Sequence, residues 1–107
     1  MLFKTINPIE LHEKLQNGED FRLIDVREPQ EYEWARLEKA ELLPLSRFQT
    51  WHDKLNSAEK IVVICHHGVR SAQVCAYLAH QGFENVWNLS GGIDAWSTEV
   101  DRRVPRY

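Results

Sequence analysis

Cys65 opens the segment CHHGVRS (residues 65–71), which directly follows the apolar run IVVI. A cysteine at the end of such a run is a packing residue, a metal ligand or a nucleophile. The sequence contains two cysteines, and the surroundings of Cys75 do not resemble this segment. The residues that follow Cys65 therefore decide between the three roles.

The residues after Cys65 favour a nucleophile that handles anions. A tight turn between a strand and a helix directs backbone N–H groups inward, and the N-terminus of the helix adds partial positive charge. Arg70 contributes a permanent cation, while His66 and His67 raise the local positive potential near neutral pH. Such surroundings stabilise a thiolate, the reactive form of cysteine, and they would hold an anionic product on its sulfur.

Two further residues of the segment have conformational roles in this interpretation. Gly68 fits a position where a side chain would block the approach of a substrate or where φ is positive. Ser71 is expected to cap the following helix through its hydroxyl group. Both residues therefore shape the turn around the cysteine.

Metal binding and a second reactive thiol are the weaker interpretations. Adjacent histidines such as His66 and His67 are expected to splay apart, and the sequence offers no second pair of ligands to complete a site. We therefore expect no metal. Cys75 lies at helical spacing from alanines at 72, 76 and 79, so packing in the core is favoured over a role as a resolving thiol.

Composition is typical of a small folded domain. The chain has 107 residues, 43% of them hydrophobic and 10% aromatic, which predicts one domain over residues 1–107. The net charge of −3 argues against nucleic acid as a partner. No apolar run approaches the roughly 20 residues of a membrane span, and the first ten residues lack a signal-peptide pattern. With two cysteines a disulfide scaffold is not indicated, so we expect a cytoplasmic protein with free thiols.

Apolar segments of two kinds alternate along the chain at short spacing. Runs typical of strands occupy residues 3–6, 21–26, 40–45, 61–65 and 85–89. Helical patterns with capping residues cover residues 8–16, 28–37, 46–55 and 71–80, and a last helix starts at 93. This alternation predicts an α/β fold with a mostly parallel central sheet and helices on both faces. The segment after the last helix is expected to cross the surface, where its arginines are solvated: Arg102, Arg103 and Arg106.

Three candidate residues fall where predicted strands end. Ligands bind at the carboxyl ends of the strands in a parallel sheet, and Cys65, Asp25 and Arg27 lie at such ends. Asp25 and Arg27 are either an internal pair that fixes the loops or contacts to the substrate. A structural role is favoured for Asp25, and a place at the rim of the site for Arg27. Arg47 is a weaker candidate for the rim.

The segment C-H-H-G-V-R-S resembles the active loop of rhodanese-like sulfurtransferases, whose pattern is C-x-x-G-x-R-[S/T]. DVREPQEY (25–32) is similar to the D-V-R-E-x-x-E-[FY] motif of that family, and residues 85–96, which end in GGIDAW, are similar to its closing motif. The three segments occur in the family's order and extend over nearly the whole chain. In place of the family's G-H-I-x-G-A, residues 35–40 read ARLEKA, without the histidine and both glycines.

The resemblance implies a rhodanese-like domain that transfers sulfur through a persulfide on Cys65. A small anionic donor such as thiosulfate would supply the sulfur, and a nucleophile such as cyanide, a thiol or a protein would accept it. No cofactor or metal would be required, and no membrane would take part. The residues that the resemblance implies as contacts to the substrate are His66, His67, Gly68, Val69, Arg70, Ser71 and Arg27.

Other functions stay open beside thiosulfate turnover. A persulfide relay that exchanges sulfur with partner proteins would use the same Cys65. A binding module without catalysis is disfavoured, because both Cys65 and Arg70 are present. Related phosphatases carry one more residue in the loop, which widens it for a phosphate group, so the loop length argues against phosphatase or arsenate reductase activity. Arg70 itself either contacts the anion or pairs with an acidic side chain at the surface.

Overall fold

A parallel five-stranded sheet forms the centre of the structure, a computed structural model that describes residues 3–107. The strands are β1 (Lys4–Ile6), β2 (Arg22–Asp25), β3 (Glu41–Leu42), β4 (Ile61–Ile64) and β5 (Val86–Leu89). Their order across the sheet is β1-β5-β4-β2-β3, and every neighbouring pair is parallel. The first two residues of the predicted domain lie outside the described part of the chain.

Strand β4 occupies the middle of the sheet because all its side chains are apolar and β-branched. Each of the four residues is 0% exposed. Successive side chains point to opposite faces, so Val62 and Ile64 pack in one core while Ile61 and Val63 pack in the other. A strand covered on both faces explains why this run lacks polar residues.

Helices cover both faces of the sheet. They are α1 (Pro8–Gln16), α2 (Pro29–Trp34), α3 (Phe48–Trp51), α4 (Val69–His80) and α5 (Gly92–Glu99), with a 3₁₀ turn over Leu45–Arg47. Leu11 of α1 and Trp96 of α5 belong to the core on one face, and Trp51 of α3 and Leu78 of α4 to the core on the other. The predicted α/β fold is therefore confirmed. Among residues 3–107, no helix is both long and apolar enough to span a membrane.

The helix predicted over residues 28–37 ends early, at Trp34. Ala35 is extended, with φ −161° and ψ 141°, and its carbonyl oxygen accepts a hydrogen bond from Arg27. This bond directs the chain away from the helix axis. Residues 35–40, which differ from the G-H-I-x-G-A of the proteins that the chain resembles, are anchored by apolar burial, since Leu37 is only 4% exposed.

The helix predicted over residues 46–55 is also shorter, because α3 ends at Trp51. Ser46 does not cap it. Its hydroxyl donates at 2.6 Å to the carboxylate of Glu28, and Ser46 itself lies within the 3₁₀ turn. A side-chain partner in a separate element thus replaced the local cap that the sequence predicted.

The N-terminus of α5 fixes the backbone that follows β4. The N–H of Ile93 donates to the carbonyl oxygen of Cys65 at 2.8 Å, and the N–H of Asp94 donates to that of His66 at 3.1 Å. Gly92 has a positive φ of +61°, and a Cβ there would overlap both carbonyl oxygens. Glycine is required at this position by its conformation and by this close approach.

Replacing Gly92 by alanine is expected to lower the free energy of unfolding by about 2–4 kcal/mol, because the methyl group overlaps backbone atoms and the positive φ is strained. Gly82→Ala is the matched control. Gly82 also has a positive φ of +96°, but its Cβ would stand in open space within the described structure. The control is expected to cost only about 1–2 kcal/mol. Urea unfolding measures both variants, and equal losses would contradict the importance of the close approach.

Candidate active site

The thiol of Cys65 lies in a turn between β4 and α4, which we call the thiol turn (residues 65–71). Cys65 is 1% exposed. The backbone N–H of Gly68 donates to its Sγ at 3.1 Å, and that of Ser71 donates at 3.3 Å. Helix α4 has 12 residues and begins at Val69, so the partial positive charge of its N-terminus adds to these dipoles. Both contributions favour negative charge on the sulfur.

Gly68 gives the thiol turn its shape. Its φ is +100°, which is the second of the two reasons for a glycine that the sequence left open, and it is the N-cap residue of α4. Ser71 consequently lies inside the first turn of α4, and the expectation that it caps the helix is wrong. Its hydroxyl oxygen lies 3.2 Å from Sγ of Cys65. Ser71 therefore contacts the sulfur through its backbone and through its side chain.

Asn88 of β5 supports the thiol turn, and the sequence analysis missed it. Its Nδ2 donates to the carbonyl oxygen of Gly68 at 3.0 Å, and its Oδ1 accepts from the hydroxyl of Ser71. The first bond orients the amide, so the Ser71 proton points to Asn88 and the Ser71 oxygen faces the thiol. The available signal was a polar residue inside the apolar strand VWNL, where a buried amide requires partners.

Arg70 is held by Glu31 of α2 in a bidentate ion pair, with N–O distances of 2.6 Å and 2.9 Å. This is the pairing with an acid that the sequence left open. The hydrogen bonds from Arg70 hold the pKa of Glu31 at about 2, and the same bonds raise the pKa of Arg70. Both groups are therefore charged at neutral pH. Arg70 belongs to the thiol turn, and 33% of its side chain is exposed.

Asp25 and Arg27 form an internal pair, the first of the two arrangements that the sequence left open. Both side chains are 0% exposed, and Nη2 of Arg27 lies 2.7 Å from Oδ2 of Asp25. Nε of Arg27 donates to the same carboxylate at 2.9 Å. The expected place of Arg27 at an open rim is therefore wrong, because the guanidinium is enclosed. A contact of Arg27 with substrate stays a prediction.

Tyr107 lies against the thiol turn. Its segment crosses the surface as expected, but the ring stacks on His66 with centroids 4.0 Å apart and planes 14° apart. Its hydroxyl accepts from Nη1 of Arg27 and donates to Oε2 of Glu31, both at 2.8 Å. Burial raises the pKa of Tyr107 to about 12, so the phenol retains the proton that it donates. The sequence analysis missed this residue, and no local pattern indicated it.

The two histidines of the thiol turn stack on each other. Their ring centroids are 4.0 Å apart and their planes differ by 24°, so the expectation that they splay apart is wrong. Burial, followed by the repulsion between its charged form and His67, lowers the pKa of His66. His67 is more open, with 61% of its side chain exposed, and lies 3.9 Å from Asp94. In the described part of the chain, no group of three or more His, Cys, Asp or Glu residues is placed to hold a metal ion.

The remaining candidates lie further from the sulfur or face solvent. Val69 is 69% exposed at the start of α4. Arg47 is exposed at the end of the 3₁₀ turn. Cys75 packs in the core, as the sequence predicted, and burial raises the pKa of its thiol to about 12. Cys75 is therefore a packing residue that stays protonated.

Glu31→Gln is expected to make the free energy of unfolding depend less on pH in the acid range. Folding lowers the pKa of Glu31 from 4.5 to about 2, so the ionised group stabilises the fold fully above pH 4.5 and loses this effect as the pH falls toward 2. The free energy of unfolding should therefore drop more steeply for the wild type than for the variant across this range. Urea unfolding at several pH values measures the difference. Glu33→Gln, at an exposed site on the same helix, is the control, and parallel profiles for wild type and Glu31→Gln would contradict the prediction.

Comparison with known proteins agrees with this geometry. The profile of the Rhodanese-like domain matches residues 7–99. The chain is 43% identical to Rhodanese-like/PpiC domain-containing protein 12, chloroplastic, of Arabidopsis thaliana, with 97% of the chain aligned, and it spans 37% of that protein's length. It is 32% identical to the thiosulfate sulfurtransferase GlpE of Coxiella burnetii, over 90% of the chain and 89% of the relative.

Solved structures show the same relationship. A rhodanese-like domain protein from Staphylococcus aureus superposes with a TM-score of 0.83 at 30% identity, covering 98% of this chain and 99% of that one. The relatives support sulfurtransferase activity at the level of the family. The profile match, the sequence identities and the superposition together show that this chain belongs to the rhodanese-like domain family.

Proposed function

We propose that this chain is a sulfurtransferase that carries a sulfane sulfur as a persulfide on Cys65. The observation that carries the proposal is the position of Sγ at the N-terminus of α4, with the N–H groups of Gly68 and Ser71 directed at it. Thiosulfate is the donor to test first, because the Coxiella relative is named a thiosulfate sulfurtransferase.

The reaction has two half-reactions on the same sulfur atom. The thiolate of Cys65 attacks the outer sulfur of thiosulfate, a sulfur–sulfur bond forms, and sulfite leaves with the electron pair of the bond that breaks. A thiolate or cyanide then attacks the outer sulfur of the persulfide, and Cys65 leaves as a thiolate. Electrons balance within each half-reaction, so no external oxidant or reductant takes part.

Backbone N–H groups and the side chain of Arg70 stabilise negative charge at two different places, the sulfur of Cys65 and the departing sulfite. The N–H groups of Gly68 and Ser71 stabilise negative charge on Sγ before the attack and after the sulfur has been passed on. Arg70 supplies a fixed cation for the departing sulfite, since Glu31 holds its guanidinium in place. The exposed residues His67 and Val69 are the proposed contacts to the outer part of the donor.

A persulfide relay between proteins is the second candidate, and exposed apolar side chains favour it. Val69 is 69% exposed in the thiol turn, and Trp34 is 51% exposed at the end of α2. Aromatic and apolar side chains of this kind are buried when proteins dock. The relay would form the same persulfide but would turn over thiosulfate poorly.

We also propose a reducing compartment such as the cytoplasm for this activity. The mechanism requires Cys65 as a free thiol, and neither Cys65 nor Cys75 forms a disulfide within the described residues. A reducing compartment keeps such thiols available for reaction.

Incubation with thiosulfate is expected to add one sulfur atom to the wild type and none to Cys65→Ser. Intact-mass spectrometry measures the product, and Cys75→Ser is the matched control that should still gain the sulfur. Turnover by Cys65→Ser would disprove the mechanism. A wild type that gains sulfur only from a persulfidated protein, and not from thiosulfate, would favour the relay.

Arg70→Ala is expected to lower kcat/KM for thiosulfate by about 10- to 100-fold, because a hydrogen bond to a charged group is lost. The loss should be smaller with an uncharged organic polysulfide as donor. Steady-state kinetics with both donors measures the difference, and Arg36→Ala, at an exposed site, is the control. Equal losses for the two donors would argue against a charge role for Arg70.

A further inference from the structure

The side chain of Tyr107 occupies a position that sulfur transfer itself does not require. Its ring lies on His66, the neighbour of Cys65, and its centroid is 5.4 Å from that of Trp34. Its hydroxyl bridges Arg27 and Glu31. One aromatic side chain thus joins the thiol turn to the charged groups that stand beside it.

The hydroxyl of Tyr107 takes an acceptor position on a buried guanidinium. Nη1 of Arg27 donates to the carbonyl oxygen of Glu31 at 3.3 Å and to the Tyr107 oxygen at 2.8 Å. Of these two acceptors, the hydroxyl oxygen belongs to the residue that reaches solvent, since Tyr107 is 38% exposed. When this side chain moves away, an N–H of Arg27 faces the opening. The same hydroxyl donates to the charged carboxylate of Glu31 at 2.8 Å, so its replacement must accept from Arg27 and donate to Glu31, as a water molecule or a hydroxyl group does.

Two opposing effects act on the closed position of Tyr107, in which its ring lies on His66. Nε2 of His66 is buried and has no hydrogen-bond partner among the described residues, which disfavours the closed arrangement. Stacking between the two rings favours it. Because Cys65 is 1% exposed, a donor reaches Sγ only after a side chain near the turn has moved. Tyr107 is suited to that movement, since its segment lies at the surface.

We propose that Tyr107 controls the access of the sulfur donor to Cys65. Its ring closes the site in the free protein, and the donor binds only after the ring has moved away and a water molecule or a hydroxyl group has taken its place between Arg27 and Glu31. This inference rests on the proposed function, because it describes how the donor of that reaction reaches Cys65. The closed state competes with the donor, so the apparent affinity falls with the fraction of molecules that are open.

Alkylation of Cys65 tests the closure without any sulfur transfer. Iodoacetamide is expected to modify Tyr107→Ala roughly 3- to 10-fold faster than wild type, with Tyr107→Phe in between, because the first loses the stacking and the second only the hydroxyl bonds. Intact mass follows the reaction. Tyr77→Phe is the matched control and should react like wild type. Cys75 contributes little background, since it is fully buried and its thiol has a pKa of about 12.

Steady-state kinetics separates closure from a merely structural role. In Tyr107→Phe, KM for thiosulfate should fall by about the factor by which alkylation becomes faster in that variant. The value of kcat should stay unchanged, since closure competes with donor binding and not with the chemical step. Alkylation at the wild-type rate in both Tyr107 variants would overturn the inference, and so would a higher KM or a lower kcat in Tyr107→Phe. A wild type that forms no persulfide with thiosulfate would overturn the proposed function and not the closure, which alkylation decides by itself.

Discussion

A buried guanidinium needs an acceptor for each of its five N–H groups, and Arg27 finds them in three separate parts of the chain. Asp25 accepts from Nε and from Nη2. The carbonyl oxygens of Glu31 and Ala35 and the hydroxyl of Tyr107 accept the remaining bonds. These contacts end α2, place a carboxylate beside the thiol turn and bring an aromatic ring over it. The surroundings of the Cys65 sulfur therefore depend on an ion pair at the end of the neighbouring strand.

The order of the strands brings the parts of the site together. β4 pairs with β2 on one side and with β5 on the other, and all three run in the same direction. The carboxyl ends of the three strands consequently meet at one edge of the sheet, where loops from parallel strands form ligand sites. Cys65 follows the central strand, Asp25 closes one neighbour and Asn88 belongs to the other. Asn88 thus supports the turn directly, whereas Asp25 holds Arg27, which in turn binds Glu31 and Tyr107.

Local patterns were sufficient to predict the parallel sheet, the turn and the places of the five strands, although β3 covers only Glu41–Leu42 of the predicted residues 40–45. Predictions were wrong where a side chain had a competing partner in another element, as with Ser71, whose hydroxyl turns to Asn88 and the thiol. The acid that holds Arg70 lies 39 positions earlier in the chain, at Glu31. Tyr107 contacts a guanidinium 80 positions away. Such pairings depend on the folded arrangement of distant segments, which no local pattern contains.

The bonds from α5 to the carbonyl oxygens of Cys65 and His66 give the backbone of the thiol turn a direction. In a trans peptide the N–H of the next residue points opposite to the carbonyl, so the N–H groups of His66 and His67 point away from α5. Oxygen atoms thus line one side of the turn and hydrogen atoms the other. This polarity belongs to the main chain. The side chains at positions 66, 67 and 69 can therefore change without removing it, which leaves those positions available for the selection of reaction partners.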